Sequence, residues 1–143
     1  PKYNSHSKLN CVLACLQAEQ AGAQEGLMLD PHGFVNTTNA CNFFIVLDNE
    51  VWTSTGDYCM KGITRKKIID ICYNNNIKIN VKNFSLAETY KANEAFLTGT
   101  FGGLTPVKSI DKKIIGSQKG LGPLSSRLQV LYKNIIKDYL KNR

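Results

Sequence analysis

A chain of 143 residues and 15.9 kDa is the size of one domain and long enough to bury a core. Hydrophobic residues make up 43% and charged residues 20%, which excludes a disordered chain, and no apolar run approaches the roughly 18 residues a membrane span needs. The net charge of +7 comes from scattered lysines, whose densest group (Lys133, Lys137, Lys141, Arg143) shares one helix with an apolar stripe. That pattern is a solvated face rather than a nucleic-acid surface, and its modest positive field favours small anions such as phosphates and carboxylates.

Pro1 to Asn10 are polar and lack the apolar centre of a signal peptide, so a cytoplasmic, non-membrane protein is expected. An alanine- and leucine-rich run from about Ser7 to Ala21, carrying Val12, Leu13, Leu16 and Ala18, predicts a helix that Gly22 ends. Gly26 to Asp30, a turn at Pro31-His32-Gly33, Phe34-Val35, Asn42 to Leu47 and Glu50 to Thr53 then read as a meander of strands. A second helix begins near Thr64 with Ile68, Ile69 and Cys72 inward, and leaves through a left-handed residue in Asn74-Asn75-Asn76. Ile77 to Val81 alternates as a half-buried strand, and Ser85 caps a short helix through Tyr90. Glu94 to Thr100 and Thr105 to Ile110 are two further strands. Leu124, Leu128, Leu131, Ile135 and Tyr139 recur at helical spacing and mark a long terminal helix. The fold expected is α/β in one domain over 1–143: a mixed, curved, partly barrel-like sheet with flanking helices.

The five cysteines, Cys11, Cys15, Cys41, Cys59 and Cys72, form no C-x-x-C pair and are odd in number. Neither a disulfide framework nor a metal site is expected, and four of the five have apolar neighbours that suit buried thiols. His6 and His32 sit in polar surroundings and are not read as metal ligands.

Chemistry concentrates in segments that break regular structure. Gly62-Ile63-Thr64-Arg65 stands directly before a helix, where unpaired amides and the dipole make a phosphate site, although capping alone explains the same residues. Thr98-Gly99-Thr100-Phe101-Gly102-Gly103-Leu104-Thr105-Pro106-Val107 is a strand end of glycines and hydroxyls that lets backbone approach a ligand; an ordinary inter-strand loop is the alternative. Asn36 to Asn42 is a small polar stretch between apolar strands, equally readable as a turn.

In their order and spacing, "GFVNTTNACNFFIV", "GITR", "NEAFLTGTFGGLTPV" and "GPLSSRL" resemble the serial motifs of class IV aminotransferases, pyridoxal-phosphate enzymes of fold type IV. That family includes branched-chain and D-amino acid aminotransferases and aminodeoxychorismate lyase. "CVLACLQAEQAGAQEGLMLD" resembles the helix and strand that precede those motifs, so the likeness covers essentially the whole chain. The resemblance implies the carboxy-terminal, cofactor-binding domain of such an enzyme, with the family's smaller amino-terminal domain absent from this chain. It implies pyridoxal 5'-phosphate as cofactor, an amino acid and a 2-oxo acid as substrates, and a homodimer.

Residue by residue, the family places the cofactor phosphate on Ile63 and Thr64 and on Thr100 at the end of the Thr98-Gly99-Thr100 strand, with Gly99 in the same cradle. Two positions depart from the pattern. Thr37 stands where the family carries a glutamate facing the pyridine nitrogen, which implies a weaker electron sink. Asn4 stands at the ungapped position of the lysine that bonds the cofactor, and Lys8, flanked by Leu9-Asn10, matches if the stretch is shortened by one residue. Lys8 is the candidate catalytic residue; Lys2 and a plain surface role for Lys8 are the alternatives. Amino-group transfer is the function implied. An aminodeoxychorismate-lyase-type reaction is the alternative, as is a non-catalytic binding domain, which Thr37 and the missing half favour.

Overall fold

Strand β3 (Asn42–Leu47) is buried on both faces, and the rest of the fold is arranged around it. The structure is a computed structural model that describes residues 7–116 and 120–141. Because side chains alternate along a strand, the run Phe43-Phe44-Ile45-Val46 sends one apolar pair to each side, and a sheet covered on both faces needs that continuous pattern.

β1 (Leu27–Leu29), β2 (Val35–Thr38), β3 and β4 (Glu50–Thr53) form an antiparallel meander, closed between β3 and β4 by Asp48 and Asn49 with φ of 51° and 62°. Helix α2 (Ile63–Asn74) then crosses over, so that β5 (Ile79–Val81) returns parallel to β4. The crossover turns at Asn76, φ 53°, the left-handed exit that the asparagine run predicts. β6 (Glu94–Gly99) pairs antiparallel with β3 and with β7 (Gly103–Pro106), completing a seven-stranded mixed sheet. The sheet is open: β1, β5 and β7 each pair with one neighbour, so the curvature, helped by a register shift between Met28 and Leu29, stops short of a barrel. The expected strand from Thr105 to Ile110 is divided. Its second part is β8 (Ser109–Ile110), which pairs with β9 (Lys113–Ile114) in a separate hairpin turned by Asp111 and Lys112.

On one face Phe44, Val46, Phe96 and Leu104 pack against Ile68, Ile71 and Cys72 of α2 and against Leu124 and Leu128 of α4 (Pro123–Lys141). The Phe44 and Phe96 rings stack at 5.0 Å. On the other face Val35, Phe43, Ile45 and Ala95 meet Phe84, Ile110 and Ile115. Phe84 precedes α3 (Leu86–Thr89), whose start is a reciprocal capping box between Ser85 and Glu88. The start of α4 is fixed by the buried Glu94, whose carboxylate accepts from the amides of Leu124 at 3.0 Å and Ser125 at 2.8 Å and from the Ser125 hydroxyl.

Two sequence expectations need correction. The apolar stripe of α4 is buried only in its first half, since Ile135 and Tyr139 are exposed. Of the five cysteines, Cys59 and Cys72 are buried, Cys11 and Cys41 are half-buried and Cys15 is exposed. Helix α1 (Leu9–Gln20) accounts for this: it buries Ala18 and leaves Leu9, Val12, Leu13 and Leu16 open, so apolar neighbours in sequence do not bury its thiols. Among the described residues no helix is long and apolar enough to cross a membrane.

Candidate active site

Thr37 of β2, Asn42 of β3 and Thr98 of β6 lie in one cross-strand row, through the pairs Thr37–Asn42 and Asn42–Thr98. Directly opposed residues share a face and stand about 5 Å apart at Cβ. Phe44 and Phe96, two residues along the same strands, face α2, so the row faces α2 as well.

The first turn of α2 lands on this row. Asn42 Oδ1 accepts the Gly62 amide at 3.3 Å, and Asn42 Nδ2 donates to the Met60 carbonyl at 2.8 Å. A Cβ at position 62 would stand 2.5 Å from Asn42 Oδ1, so the close approach requires glycine. Gly62 is the N-cap, extended at φ −60° and ψ 150°, and no side chain caps the turn. The amides of Ile63 and Thr64 therefore have no intrahelical acceptor and sit at the positive end of the helix dipole. Such a terminus is a ready site for phosphate. Arg65, 5% exposed, points the other way and donates Nη2 to the Ser54 carbonyl at 2.7 Å, tying α2 to the loop that precedes it. Burial lowers its pKa from the ordinary arginine value, with the neighbouring Cys59 opposing.

A cavity of about 350 Å³ opens at this point. All six residues that the sequence singles out, Lys8, Thr37, Ile63, Thr64, Gly99 and Thr100, line it. Lys8 is the N-cap residue of α1 and brings an exposed amine to the rim. Lys2 and Asn4 lie outside the described residues. Gly99 ends β6, and a Cβ there would lie 3.3 Å from Cys41 Sγ, which brings the exposed Thr100 to the mouth.

Thr37 is 8% exposed, and its hydroxyl donates to the Cys41 carbonyl at 2.8 Å. The Thr38 hydroxyl donates to the same carbonyl at 2.9 Å and accepts the Cys41 amide at 2.9 Å. With its one proton committed, Thr37 can offer the cavity only lone pairs. Cys41 Sγ lies 3.7 Å from Glu25 Oε1. Burial first, then the Glu25 charge and hydrogen bond, push the thiol up to about 11, so it is no nucleophile at neutral pH.

The sequence reading missed Asn42, Thr98, Cys11 and Cys41, which line the same cavity. Thr98 lies inside a flagged segment, but its part depends on cross-strand register, which local pattern does not reveal. No group of three or more potential metal ligands occurs among the described residues.

An α/β domain whose helix terminus, hydroxyl row and lysine converge on one cavity is built to hold a small anionic group. The chain belongs to the class IV aminotransferase family: residues 1–110 match the family model described as amino-transferase class IV. It is 39% identical over 134 residues to branched-chain-amino-acid aminotransferase-like protein 2 of Arabidopsis thaliana, covering 94% of this chain and 24% of that protein. It is 35% identical to the branched-chain-amino-acid aminotransferase of Pseudomonas aeruginosa, over 90% of this chain and 41% of the relative. Among solved structures it superposes on a branched-chain amino acid aminotransferase complexed with N-(5'-phosphopyridoxyl)-L-glutamate, its source abbreviated T.th., with TM-score 0.81 and 34% identity, over 87% of this chain and 42% of that one. A putative 4-amino-4-deoxychorismate lyase of Legionella pneumophila gives TM-score 0.86 at 25% identity, over 93% and 49%. The chain thus spans less than half the length of each of these relatives.

Proposed function

We propose that this chain is the cofactor-binding half of a pyridoxal-phosphate-dependent transaminase that moves an amino group between an amino acid and a 2-oxo acid. The observation that carries the reading is the single cavity in which the α2 amides, Thr37, Thr100 and Lys8 meet. The residues suit the cofactor at three points. The Ile63 and Thr64 amides, with Thr100, fit its phosphate; Thr37 fits the ring nitrogen as an acceptor; and the Lys8 amine is free to form a covalent bond. When bound, pyridoxal phosphate supplies the aldehyde that bonds amines and the ring that withdraws electrons.

In this reading Lys8 Nζ holds the cofactor and then carries the proton to and from the α carbon of the substrate. Thr37 receives a hydrogen bond from a protonated ring nitrogen but brings no negative charge, so it holds that proton less firmly than a carboxylate does. Gly99 and Thr100 keep backbone close to the phosphate and leave the mouth open to substrate. The branched-chain aminotransferases among the relatives named above suggest a branched-chain amino acid as donor, and a cytoplasmic homodimer is the assembly that accompanies the reading. Activity belongs to the complete protein, since a second domain supplies the rest of the pocket in proteins of twice this length.

The test is to load the full-length protein with pyridoxal phosphate, add an amino acid, and follow the absorbance. The cofactor should pass to its amine form, and a 2-oxo acid should return it. Likeness to the putative lyase supports a second reading, in which the aldehyde form is restored without any 2-oxo acid. A protein that takes up cofactor and never reacts with an amino acid would point to a non-catalytic binding domain.

A further inference from the structure

Of the three polar side chains in the row beneath α2, two are fully engaged within the protein. Thr37 donates to the Cys41 carbonyl, and Asn42 clamps Gly62 and Met60. The third, Thr98, is 2% exposed, and its Oγ1 has no hydrogen-bond partner. It lines the cavity beside Asn42, one strand spacing from the residue on which the first turn of α2 rests. A buried hydroxyl without an acceptor destabilises the fold, so such a group in a native site calls for an explanation.

We infer that Thr98 is a binding residue of the cavity and that its hydroxyl donates to an oxygen of the ligand's phosphate group. Three observations converge on phosphate as the acceptor. The row places Thr98 directly beside Asn42, whose side chain holds the N-cap of α2, so the hydroxyl and the uncapped amides of Ile63 and Thr64 face the same space. Thr98 also precedes Gly99 and Thr100 on the strand end that lines that space. Finally, the ring-nitrogen position at Thr37 lies on the opposite side of Asn42, two strands away. A phosphate bound here would take backbone amides from α2 on one side and a side-chain hydroxyl from the sheet on the other. The inference rests on the reading of the cavity as a site for a phosphorylated cofactor.

The hydroxyl is replaced by a methyl group in Thr98→Val, which keeps the branched shape, and is retained in Thr98→Ser. Folding stability of the full-length protein without ligand is measured, together with affinities for pyridoxal 5'-phosphate, inorganic phosphate and pyridoxal lacking the phosphate. Without ligand, Thr98→Val should be at least as stable as wild type, because an unmade hydrogen bond has been removed. Its affinity for pyridoxal phosphate and for inorganic phosphate should fall about ten- to hundredfold, the loss of one bond to a charged group. Affinity for pyridoxal should not change, and Thr98→Ser should restore phosphate binding. Unchanged pyridoxal-phosphate affinity in Thr98→Val would overturn the inference, as would equal losses for pyridoxal and pyridoxal phosphate, which put the acceptor elsewhere. A ligand-free Thr98→Val protein less stable than wild type would make the hydroxyl a structural group. Wild-type protein that takes up neither pyridoxal phosphate nor phosphate would defeat the reading of the cavity itself, and the inference with it.

Discussion

Gly62 and Asn42 lock the helix to the sheet at the site: the Gly62 amide donates to Asn42 Oδ1 at 3.3 Å, and a Cβ on Gly62 would lie 2.5 Å from that oxygen. Asn42 is itself buried and committed through Nδ2 to Met60, so it has no free direction in which to retreat. The anion-binding turn is thus positioned by a contact that only glycine permits.

Gly62→Ala should therefore displace the first turn of α2. The expected destabilisation is about 1–3 kcal/mol, as for an overpacked core site, together with weaker phosphate binding. Urea unfolding and phosphate titration measure the two effects. A variant with wild-type affinity would mean that the turn can shift without opening the anion site.

Glu94 offers a contrasting case, because its carboxylate works at the start of α4 rather than in the cavity. Glu94→Ala removes the acceptor for two buried amides and the Ser125 hydroxyl, and should lower stability by several kcal/mol, in line with losing bonds to a charged group. Phosphate affinity measured at a temperature where the variant is folded should stay unchanged. A stable variant would show that α4 does not depend on this cap.

How much of this is legible in the sequence depends on the range of the interactions. The Asp48-Asn49 hairpin, the α2 start and the Ser85 cap are set by residues within a few positions of each other, and each appears where local pattern puts it. Lys8, Thr37, Ile63, Thr64, Gly99 and Thr100 are picked out separately, from local chemistry and family likeness, and they line one cavity. Thr98 and Asn42 escape a local reading because their roles come from strand register, Asn42 opposite Thr98, across more than fifty residues of chain. The β8–β9 hairpin, with two residues in each strand, is too short to leave a periodic signal, and Lys112 is no usual turn residue. The exposed apolar residues of α1 show the limit from the other direction: spacing marks a face as apolar but does not say what covers it.

Cysteine reactivity should separate by environment. Burial and the adjacent Glu25 hold Cys41 up to about 11, and burial alone pushes Cys72 up to about 12, so both remain thiols at neutral pH. The raised values mean that the reactive thiolate appears only as pH climbs toward them. Alkylation near neutral pH followed by peptide mapping should label the exposed Cys15 well before Cys41. Glu25→Gln, which removes the negative neighbour, should bring Cys41 labelling to lower pH. Cys41 reacting as fast as Cys15 at neutral pH would contradict the burial described.

Thr37→Glu tests the ring-nitrogen position. The carboxylate supplies the charge that threonine lacks and should speed the reaction of the bound cofactor with an amino acid. It also loses the bond to the Cys41 carbonyl and places a charge where only 8% of the side chain's surface is open, so stability should fall by about 1–3 kcal/mol. Stopped-flow absorbance and urea unfolding read the two effects. A folded variant that binds cofactor and reacts at the wild-type rate would place Thr37 away from the ring nitrogen.

A covalent bond from Lys8 to pyridoxal phosphate in the cavity is the feature on which the proposed function turns. Borohydride reduction of the cofactor-loaded, full-length protein makes that bond permanent, and peptide mapping then locates the label. A single modified residue, Lys8, is predicted, with the label lost in Lys8→Gln while phosphate binding at the α2 terminus persists. A label on Lys2 or on another lysine, or no label in a protein that has taken up the cofactor, would contradict it.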